Sequence, residues 1–262
     1  MIYNALMKRL ILVLAALLSA SLLAQAQKAV PIPKEPHHQL VFENDYVRVF
    51  RVSLPAHAAT LLHQHDVPYV YVSLGPADVI NAVQGKPEAR LVMADGQAGY
   101  SRGGFAHIAR TDAGSTFDNV TVELLKPQGE PKNLCDKIVD GPVLTCTGEV
   151  KGLSADSPLR VLPKLGIVPR RSFETDEIEV ASYSLSLVGN YNEDSKSPRL
   201  LVAEDGPQLH VEIAGEPAKS LSSGETVWLE AGKEWKIILP RQNKPTRFLM
   251  IRFKDTVAAA KP

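Results

Sequence analysis

Residues 61–72 read Leu-Leu-His-Gln-His-Asp-Val-Pro-Tyr-Val-Tyr-Val, a stretch typical of a β-strand that carries paired histidines. His63 and His65 stand one residue apart, just before an apolar alternation. On a β-strand, residues i and i+2 point to the same face, so both imidazoles are expected to point to one place inside a barrel. A third histidine, His107, follows the Gly-Gly pair at residues 103–104. The three histidines together predict one shared site, suited to a metal ion.

The composition favours a globular, all-β protein. The chain has 262 residues, enough for one large domain or two ordinary ones, and 45% of them are hydrophobic. Its 19 prolines and 17 glycines indicate many short elements joined by turns. The 29 basic and 29 acidic residues cancel, so there is no electrostatic argument for nucleic acid or an anionic membrane surface as a partner.

Residues 1–26 predict a secretory signal peptide that is cleaved after Ala26. Basic residues near the start precede an almost unbroken apolar run at residues 11–23. The alternative is an uncleaved membrane anchor, but the run is too short to span a bilayer comfortably. We therefore expect a periplasmic or secreted protein without stable membrane insertion after cleavage. Residues 27–36 are predicted to form a loose leader, and residues 256–262 a tail.

A repeat divides the mature chain into two halves. Residues 42–54 reappear as residues 173–185 at a constant shift, and later turns are echoed in the same order. Short strands separated by glycine, proline and aspartate favour a jelly-roll barrel in each half. The predicted boundaries are residues 37–126 for the N-terminal barrel, residues 127–169 for the linker and residues 170–255 for the C-terminal barrel.

The second half lacks counterparts of the three histidines. The repeat places Asp194, Lys196 and Trp235 at their positions, and these side chains do not replace three imidazoles. Only the first barrel is therefore expected to bind a metal. For three other histidines we expect no special role: His37 and His38 are expected to be solvated, and His210 to be an ordinary polar strand residue.

The chain has only two cysteines, Cys135 and Cys146, and both lie in the predicted linker. In an exported protein the leading prediction is a disulfide, since the compartment is oxidising. The turn at residues 140–142 would bring the thiols together. A redox pair or a zinc site is the alternative, although the spacing is typical of neither.

The first half resembles a cupin, and the whole mature chain is similar to secreted bacterial proteins with two cupin barrels. In the first family motif, His63 and His65 match the His-x-His pair, while Tyr69 stands at the position of the family's glutamate. In the second motif, Gly104 and His107 match with the correct gap. The motifs lie in the first barrel only. The resemblance implies an all-β fold of two jelly-roll barrels in tandem, with a degenerate second barrel.

The resemblance implies a divalent transition metal bound by His63, His65 and His107, with open coordination positions. Nitrogen ligands suit Fe, Mn, Zn, Ni or Cu. Without the glutamate, the site carries one less negative charge and the ion is a stronger Lewis acid. Tyr69 faces the same interior, either as a hydrogen-bond donor around the site or as a filler of the barrel. His57 precedes the histidine strand, and is either near the barrel mouth or simply part of a loop.

Two classes of function remain open. One is a metal-dependent enzyme, such as a dioxygenase, an isomerase or a related lyase, that acts on a small organic molecule in a polar cavity. The other is a non-catalytic periplasmic protein that binds a metal or a small ligand, favoured by the missing glutamate and by the lack of a clear general acid or base. A cavity lined only by aliphatic side chains would support this second class. A weaker third interpretation is a structural pair of barrels with a vestigial site. Monomer and homodimer both stay open.

Overall fold

The computed structural model describes residues 28–112, 114–129, 132–133, 135–139, 144–150, 167–185, 189–192, 196–205, 209–239 and 244–254. Over these ranges the chain forms β-strands and one short 3-10 helix. The prediction of an all-β fold with two jelly-roll barrels is confirmed. The predicted signal peptide, residues 1–26, and the predicted tail, residues 256–262, lie outside the described residues.

The first barrel contains the first ten strands and the 3-10 helix. They are β1 Val30–Pro31, the helix Ile32–Lys34, β2 His38–Glu43, β3 Val47–Leu54, β4 His63–His65, β5 Tyr69–Ser73, β6 Ala77–Val83, β7 Ala89–Met93, β8 Ala98–Ser101, β9 Phe105–Arg110 and β10 Phe117–Leu124. Three strands follow before the second barrel: β11 Lys132–Asn133, β12 Cys135–Val139 and β13 Leu144–Val150.

The second barrel contains nine strands. They are β14 Ile167–Glu174, β15 Ile178–Leu185, β16 Gly189–Tyr191, β17 Arg199–Asp205, β18 Leu209–Ile213, β19 Lys219–Leu221, β20 Thr226–Leu229, β21 Trp235–Leu239 and β22 Thr246–Phe253. Within the described ranges, the chain has no helix with the length and apolar character of a membrane span.

The two barrels have the same strand order. In the first barrel one sheet runs β4-β9-β6-β7 and the other β8-β5-β10-β3-β2. In the second barrel the sheets run β16-β21-β18-β19 and β20-β17-β22-β15-β14. The hairpins that open the barrels also share a register, because Phe42 pairs with Val49 and Phe173 pairs with Val180. The sequence similarity between residues 42–54 and 173–185 therefore coincides with equivalent structure.

The larger sheets of the two barrels pack face to face. Their facing sides form one buried cluster, to which the first barrel contributes Val70 and Val122 and the second contributes Leu200 and Ile251. Full burial of an aliphatic side chain of this kind stabilises by about 1.5–3 kcal/mol. Strand alternation explains the arrangement, since every second residue of a strand is left facing the barrel's own interior. That interior is where the histidines lie.

Two predicted connecting segments are more ordered than the sequence suggested. The loose leader was a wrong prediction from residue 30 onwards: β1 pairs in parallel with β4, and Ile32 is only 2% exposed. In the predicted linker, β13 pairs with β12 and with the edge strand β8 of the first barrel. Backbone hydrogen bonds thus attach part of the linker to the barrel.

The predicted disulfide receives no support from the backbone register. Cys135 lies opposite Val150, and Cys146 lies opposite Ile138, so the cysteines are not cross-strand partners. Their side chains lie outside the described part of the chain. The disulfide stays a prediction.

Candidate metal centre

Neighbouring strands bring the three predicted histidines together. His63 and His65 occupy both ends of β4, and His107 on β9 lies directly opposite His63 in the antiparallel register. The ring centroid of His107 is 4.4 Å from that of His63 and 5.1 Å from that of His65. The rings of His63 and His65 are 5.1 Å apart. His63 and His65 therefore lie on the same face of β4, as strand parity predicts.

A fourth histidine, His38, joins this cluster. It was predicted to be solvated, and this prediction was wrong: His38 is 9% exposed, and its ring lies 4.7 Å from that of His63. One ligand nitrogen from each of His38, His63 and His65 lies within 4.8 Å of the others. The only hint in the sequence is Glu35, an acidic residue three positions before His38.

Glycine at residue 103 allows the chain to turn close to the histidine strand. Gly103 has φ +66, and a Cβ atom there would lie 2.2 Å from the carbonyl oxygen of Val67. The next residue, Gly104, donates its backbone N–H to the carbonyl oxygen of His65 at 2.6 Å. A side chain at Gly103 would push β9, and with it His107, away from β4.

Hydrogen bonds fix the orientation of two of the imidazole rings, those of His63 and His107. The Nδ1 atom of His63 bonds the carbonyl oxygen of Leu61 at 2.9 Å, and the Nδ1 atom of His107 bonds the Oδ1 atom of Asn81 at 2.6 Å. In a neutral imidazole one nitrogen donates and the other accepts, and these oxygens can only accept. Both Nδ1 atoms therefore carry the proton, and both Nε2 atoms keep a free lone pair. Metal-binding histidines are typically held in this way.

Three nitrogens of the cluster are buried without a hydrogen-bond partner among the described residues: His63 Nε2, His65 Nδ1 and His107 Nε2. A buried polar atom that lacks a partner costs about 1–3 kcal/mol. The ligand nitrogens of His38, His63 and His65 lie within 4.8 Å of one another, and His107 is not part of that group of three. The imidazole nitrogens of the cluster suit a transition metal in their chemistry.

Burial keeps the imidazoles in the form that binds metals. Desolvation, reinforced by the neighbouring His38, lowers the pKa of His63 to about 4. Burial and the adjacent histidines also hold the pKa of His65 and of His107 well below the usual range. All three rings are therefore neutral at neutral pH, and a metal does not have to displace protons from them.

Glu35 is a buried carboxylate that contacts the cluster through His38. Burial alone would raise the pKa of Glu35, but hydrogen bonds from His38 and from the backbone of Leu61 and His37 outweigh it and lower the pKa. Its Oε2 atom lies 2.5 Å from the Nδ1 atom of His38. The carboxylate is thus ionised and accepts the hydrogen bond from the Nδ1 atom of His38.

Tyr69 touches the cluster, whereas His57 does not. The ring of Tyr69 stacks on His65 with centroids 4.3 Å apart, and its hydroxyl is hydrogen-bonded to Ser101. Burial raises the pKa of Tyr69, so the phenol stays protonated. His57 is exposed in the turn after β3, with φ 58, and is not among the residues that line the cavity.

The histidines border a cavity of about 70 Å³ inside the first barrel. The wall is mixed: valine, leucine, methionine and phenylalanine side chains alternate with polar ones. No carboxylate is among the described residues that line it. The polar residues besides the histidines are Thr60, Tyr69, Tyr71, Asn81, Asn119 and Thr121. The cavity is therefore not purely aliphatic, and sequence reasoning missed all of these polar residues except Tyr69.

The second barrel has no such cluster among its described residues. Trp235 pairs with Ile213 as His107 pairs with Val83, so the tryptophan occupies the equivalent strand position, as the repeat predicted. Tyr183 and Phe248 join Trp235 in the packed interior. Lys196 is exposed, and Asp194 lies outside the described residues.

Solved structures with similar folds were found across most of the chain. AerE from Microcystis aeruginosa has a TM-score of 0.58 at 12% identity, with 84% of this chain and 99% of AerE covered. Ylba from E. coli has a TM-score of 0.57 at 7% identity, with 88% of each chain covered. A mutant salicylate 1,2-dioxygenase from Pseudoaminobacter salicylatoxidans, in complex with gentisate, has a TM-score of 0.55 at 10% identity, with 85% of this chain and 76% of the dioxygenase covered.

At the level of sequence, no protein-family model and no curated protein matches the chain. Identities of this size show a shared fold and carry no information on a shared reaction. The strand order and the solved structures agree on the same architecture. The chain therefore has the cupin fold, in two successive barrels.

Proposed function

We propose that the first barrel binds a divalent transition metal through His63, His65 and His107 and acts as a metal-dependent enzyme, of the dioxygenase or isomerase type, on a small organic molecule. The observation that carries this proposal is the set of three buried nitrogens without partners that border one cavity. Fe, Mn, Zn, Ni and Cu all suit such ligands.

A bound ion would supply a Lewis acid with open positions for a substrate oxygen. The chain's own residues would select and orient the substrate. The described cavity wall holds the neutral imidazoles of His63, His65 and His107 and no carboxylate, so the charge of the ion is not neutralised within the cavity. This favours a substrate with an anionic oxygen, such as a carboxylate or an enolate. Asn119 and Thr121 line the same space and offer polar atoms for orientation.

The size of the cavity limits the substrate. Pockets for drug-sized ligands enclose roughly 300–1,000 Å³, whereas this one encloses about 70 Å³. A compact acid fits this limit better than an extended molecule. Salicylate and gentisate are reasonable first probes, because a protein with this fold is a salicylate 1,2-dioxygenase solved with gentisate.

The test is oxygen consumption by protein loaded with Fe(II), in the presence of salicylate, gentisate and a panel of small 2-oxo and 1,3-dicarbonyl acids. Product analysis under anaerobic conditions detects isomerisation with each of the five metals. Turnover that is lost in His107→Ala and kept in His210→Ala would support the proposal. The absence of turnover with every metal and every acid would overturn the enzymatic part of it.

A non-catalytic binding protein is the second candidate. The observation that favours it is the lack of a carboxylate among the described lining residues, which leaves no evident general acid or base beyond the histidines themselves. Stoichiometric metal retention without turnover in the same experiment is the result that this candidate predicts.

We also propose that the protein is exported and carries a Cys135–Cys146 disulfide. The support is the signal-like sequence of residues 1–26 and the presence of only two cysteines. Intact mass of periplasmic protein, with and without reduction before alkylation, tests both points. A chain that starts at Gln27 and is alkylated only after reduction is the expected result.

A further inference from the structure

The N-terminal segment, residues 30–38, is built into the wall of the metal centre. The backbone N–H of Val30 donates to the carbonyl oxygen of Leu62 at 2.9 Å, and β1 pairs Val30 with His63. Ile32 is buried, and the N–H of Glu35 closes the turn by donating to the carbonyl oxygen of Ile32 at 3.0 Å. The segment therefore follows the histidine strand closely and then delivers His38 at the start of β2.

Glu35 connects this segment to two of the histidines. Its Oε2 atom accepts from the Nδ1 atom of His38 at 2.5 Å, and its Oε1 atom accepts the N–H of Leu61 at 3.2 Å. The carbonyl oxygen of Leu61 in turn accepts the Nδ1 proton of His63 at 2.9 Å. With 1% exposure, the carboxylate of Glu35 is shielded from water. One buried acid thus orients the ring of His38 and the peptide that orients His63.

His38 presents its remaining nitrogen to the cluster. Its ring lines the cavity, 4.7 Å from the ring of His63 and 6.2 Å from that of His65. A histidine whose Nδ1–H is donated to a carboxylate is a better metal ligand, because the hydrogen bond fixes the tautomer and raises the basicity of the other nitrogen. The neighbouring His37 is different, since its Nδ1 atom bonds the carbonyl oxygen of Ser53 at 3.0 Å at an exposed position.

We propose that His38 is a fourth ligand of the metal centre and that Glu35 is its positioning residue. The N-terminal segment then completes the site, and retention of the metal depends on this segment as well as on the barrel strands. This inference rests on the proposed metal function. The segment then supplies a further imidazole nitrogen to a site whose sequence has Tyr69 where the family motif has a glutamate.

The test counts nitrogen ligands in the full mature chain loaded with Cu(II). Pulsed electron paramagnetic resonance gives the number of bound imidazoles, and chelator competition gives the affinity. His38→Ala is expected to lose one imidazole from the count. Glu35→Gln keeps the count and weakens the affinity by about 10–100-fold, the usual effect of removing a partner of a ligand. His37→Ala is the matched control and should change neither value.

An unchanged imidazole count in His38→Ala would overturn the inference while the metal function stands. If His38→Ala does not fold, as judged by circular dichroism, the count is made on His38→Gln, which has no imidazole but a similar size. Failure of the proposed function gives a different result: wild-type protein then binds no Cu(II), or His63→Ala and His107→Ala keep the full count.

Discussion

The two barrels have the same strand order, but their interiors are filled by different kinds of side chain. The first barrel surrounds its cavity with four imidazoles and several polar side chains. The second packs aromatic rings into the corresponding space, with Tyr183 and Phe248 stacked at 4.9 Å and an interplanar angle of 8°. The second copy therefore forms the same jelly-roll framework without a histidine cluster among its described residues, and the cluster is a feature of the first copy.

The sheet faces that pack between the two barrels do not show this difference. Both large sheets present valine and leucine to the shared core, and Asp95 forms an ion pair with Arg247 across the two barrels. The molecule thus combines one barrel that encloses a histidine-lined cavity with one barrel filled mainly by apolar and aromatic side chains, where the buried Arg199 guanidinium lies 5.5 Å from the ring centre of Trp235. We expect the second barrel to contribute mainly stability and the first to contribute the chemistry.

The largest effect is expected from a substitution that creates a cavity in the interior of the second barrel. Phe248 is fully buried, and Phe248→Ala should lower the free energy of unfolding by about 3–5 kcal/mol. Urea denaturation gives this value, and metal content measured in native buffer should not change. Metal loss in the still-folded variant would show that the barrels are not divided in function as we describe.

Metal binding should stabilise the first barrel selectively. A ligand at 100 times its dissociation constant stabilises the folded state by about 2.7 kcal/mol. The wild-type protein should gain this amount in thermal or urea denaturation, and His210→Ala should gain the same. A variant with both His63 and His65 changed to alanine should gain nothing, and a gain there would place the ion elsewhere.

Low pH should lower the free energy of unfolding of the metal-free protein, and the loss should arise in the first barrel. The folded pKa of His63 is lowered to about 4 by burial, while an unfolded histidine titrates near 6.5. The unfolded chain therefore takes up protons first, so the stabilising contribution is complete above about pH 6.5 and is lost as the pH falls through about 4.

At pH 5 the loss from His63 alone amounts to about 2 kcal/mol. Hydrogen exchange from pH 7 to pH 5, corrected for the pH dependence of the intrinsic exchange rate, measures it strand by strand, with lower protection factors expected in β4 and β9. In His63→Gln the pH dependence should be shallower. An equal loss of protection in β16 and β21 between pH 7 and pH 5 would contradict the assignment of this acid sensitivity to the first barrel.

The smallest effect is expected at Tyr69. The contact with His65 is ring stacking, which phenylalanine preserves, while the hydroxyl is bonded to Ser101. Tyr69→Phe should therefore change metal affinity by less than about tenfold and stability by about 1 kcal/mol. A loss comparable to that of a histidine variant would make Tyr69 a ligand in its own right.

Most of the fold and three of the four histidines follow from local sequence patterns. Alternation with period two and the repeat of residues 42–54 predict the strands and both barrels. His63 and His65 share a face because of strand parity alone, and His107 stands in a matching context after Gly104.

The rest depends on long-range pairing, which local patterns do not reveal. His38 enters the site because β1 pairs in parallel with β4 and the turn before β2 is held by Glu35. A proline-rich stretch gives no signal for such pairing. The polar residues of the cavity wall also depend on long-range pairing, because Asn81 contributes to the site only through the pairing of β6 with β9.

Elemental analysis by mass spectrometry, on mature protein purified without a histidine tag, is the direct test of the proposed metal site. We expect a near-stoichiometric transition metal in the wild type and in His210→Ala, and its loss in the double variant His63→Ala, His65→Ala. Wild-type protein that stays metal-free after incubation with Fe(II), Mn(II), Zn(II), Ni(II) and Cu(II) would contradict metal binding by the first barrel.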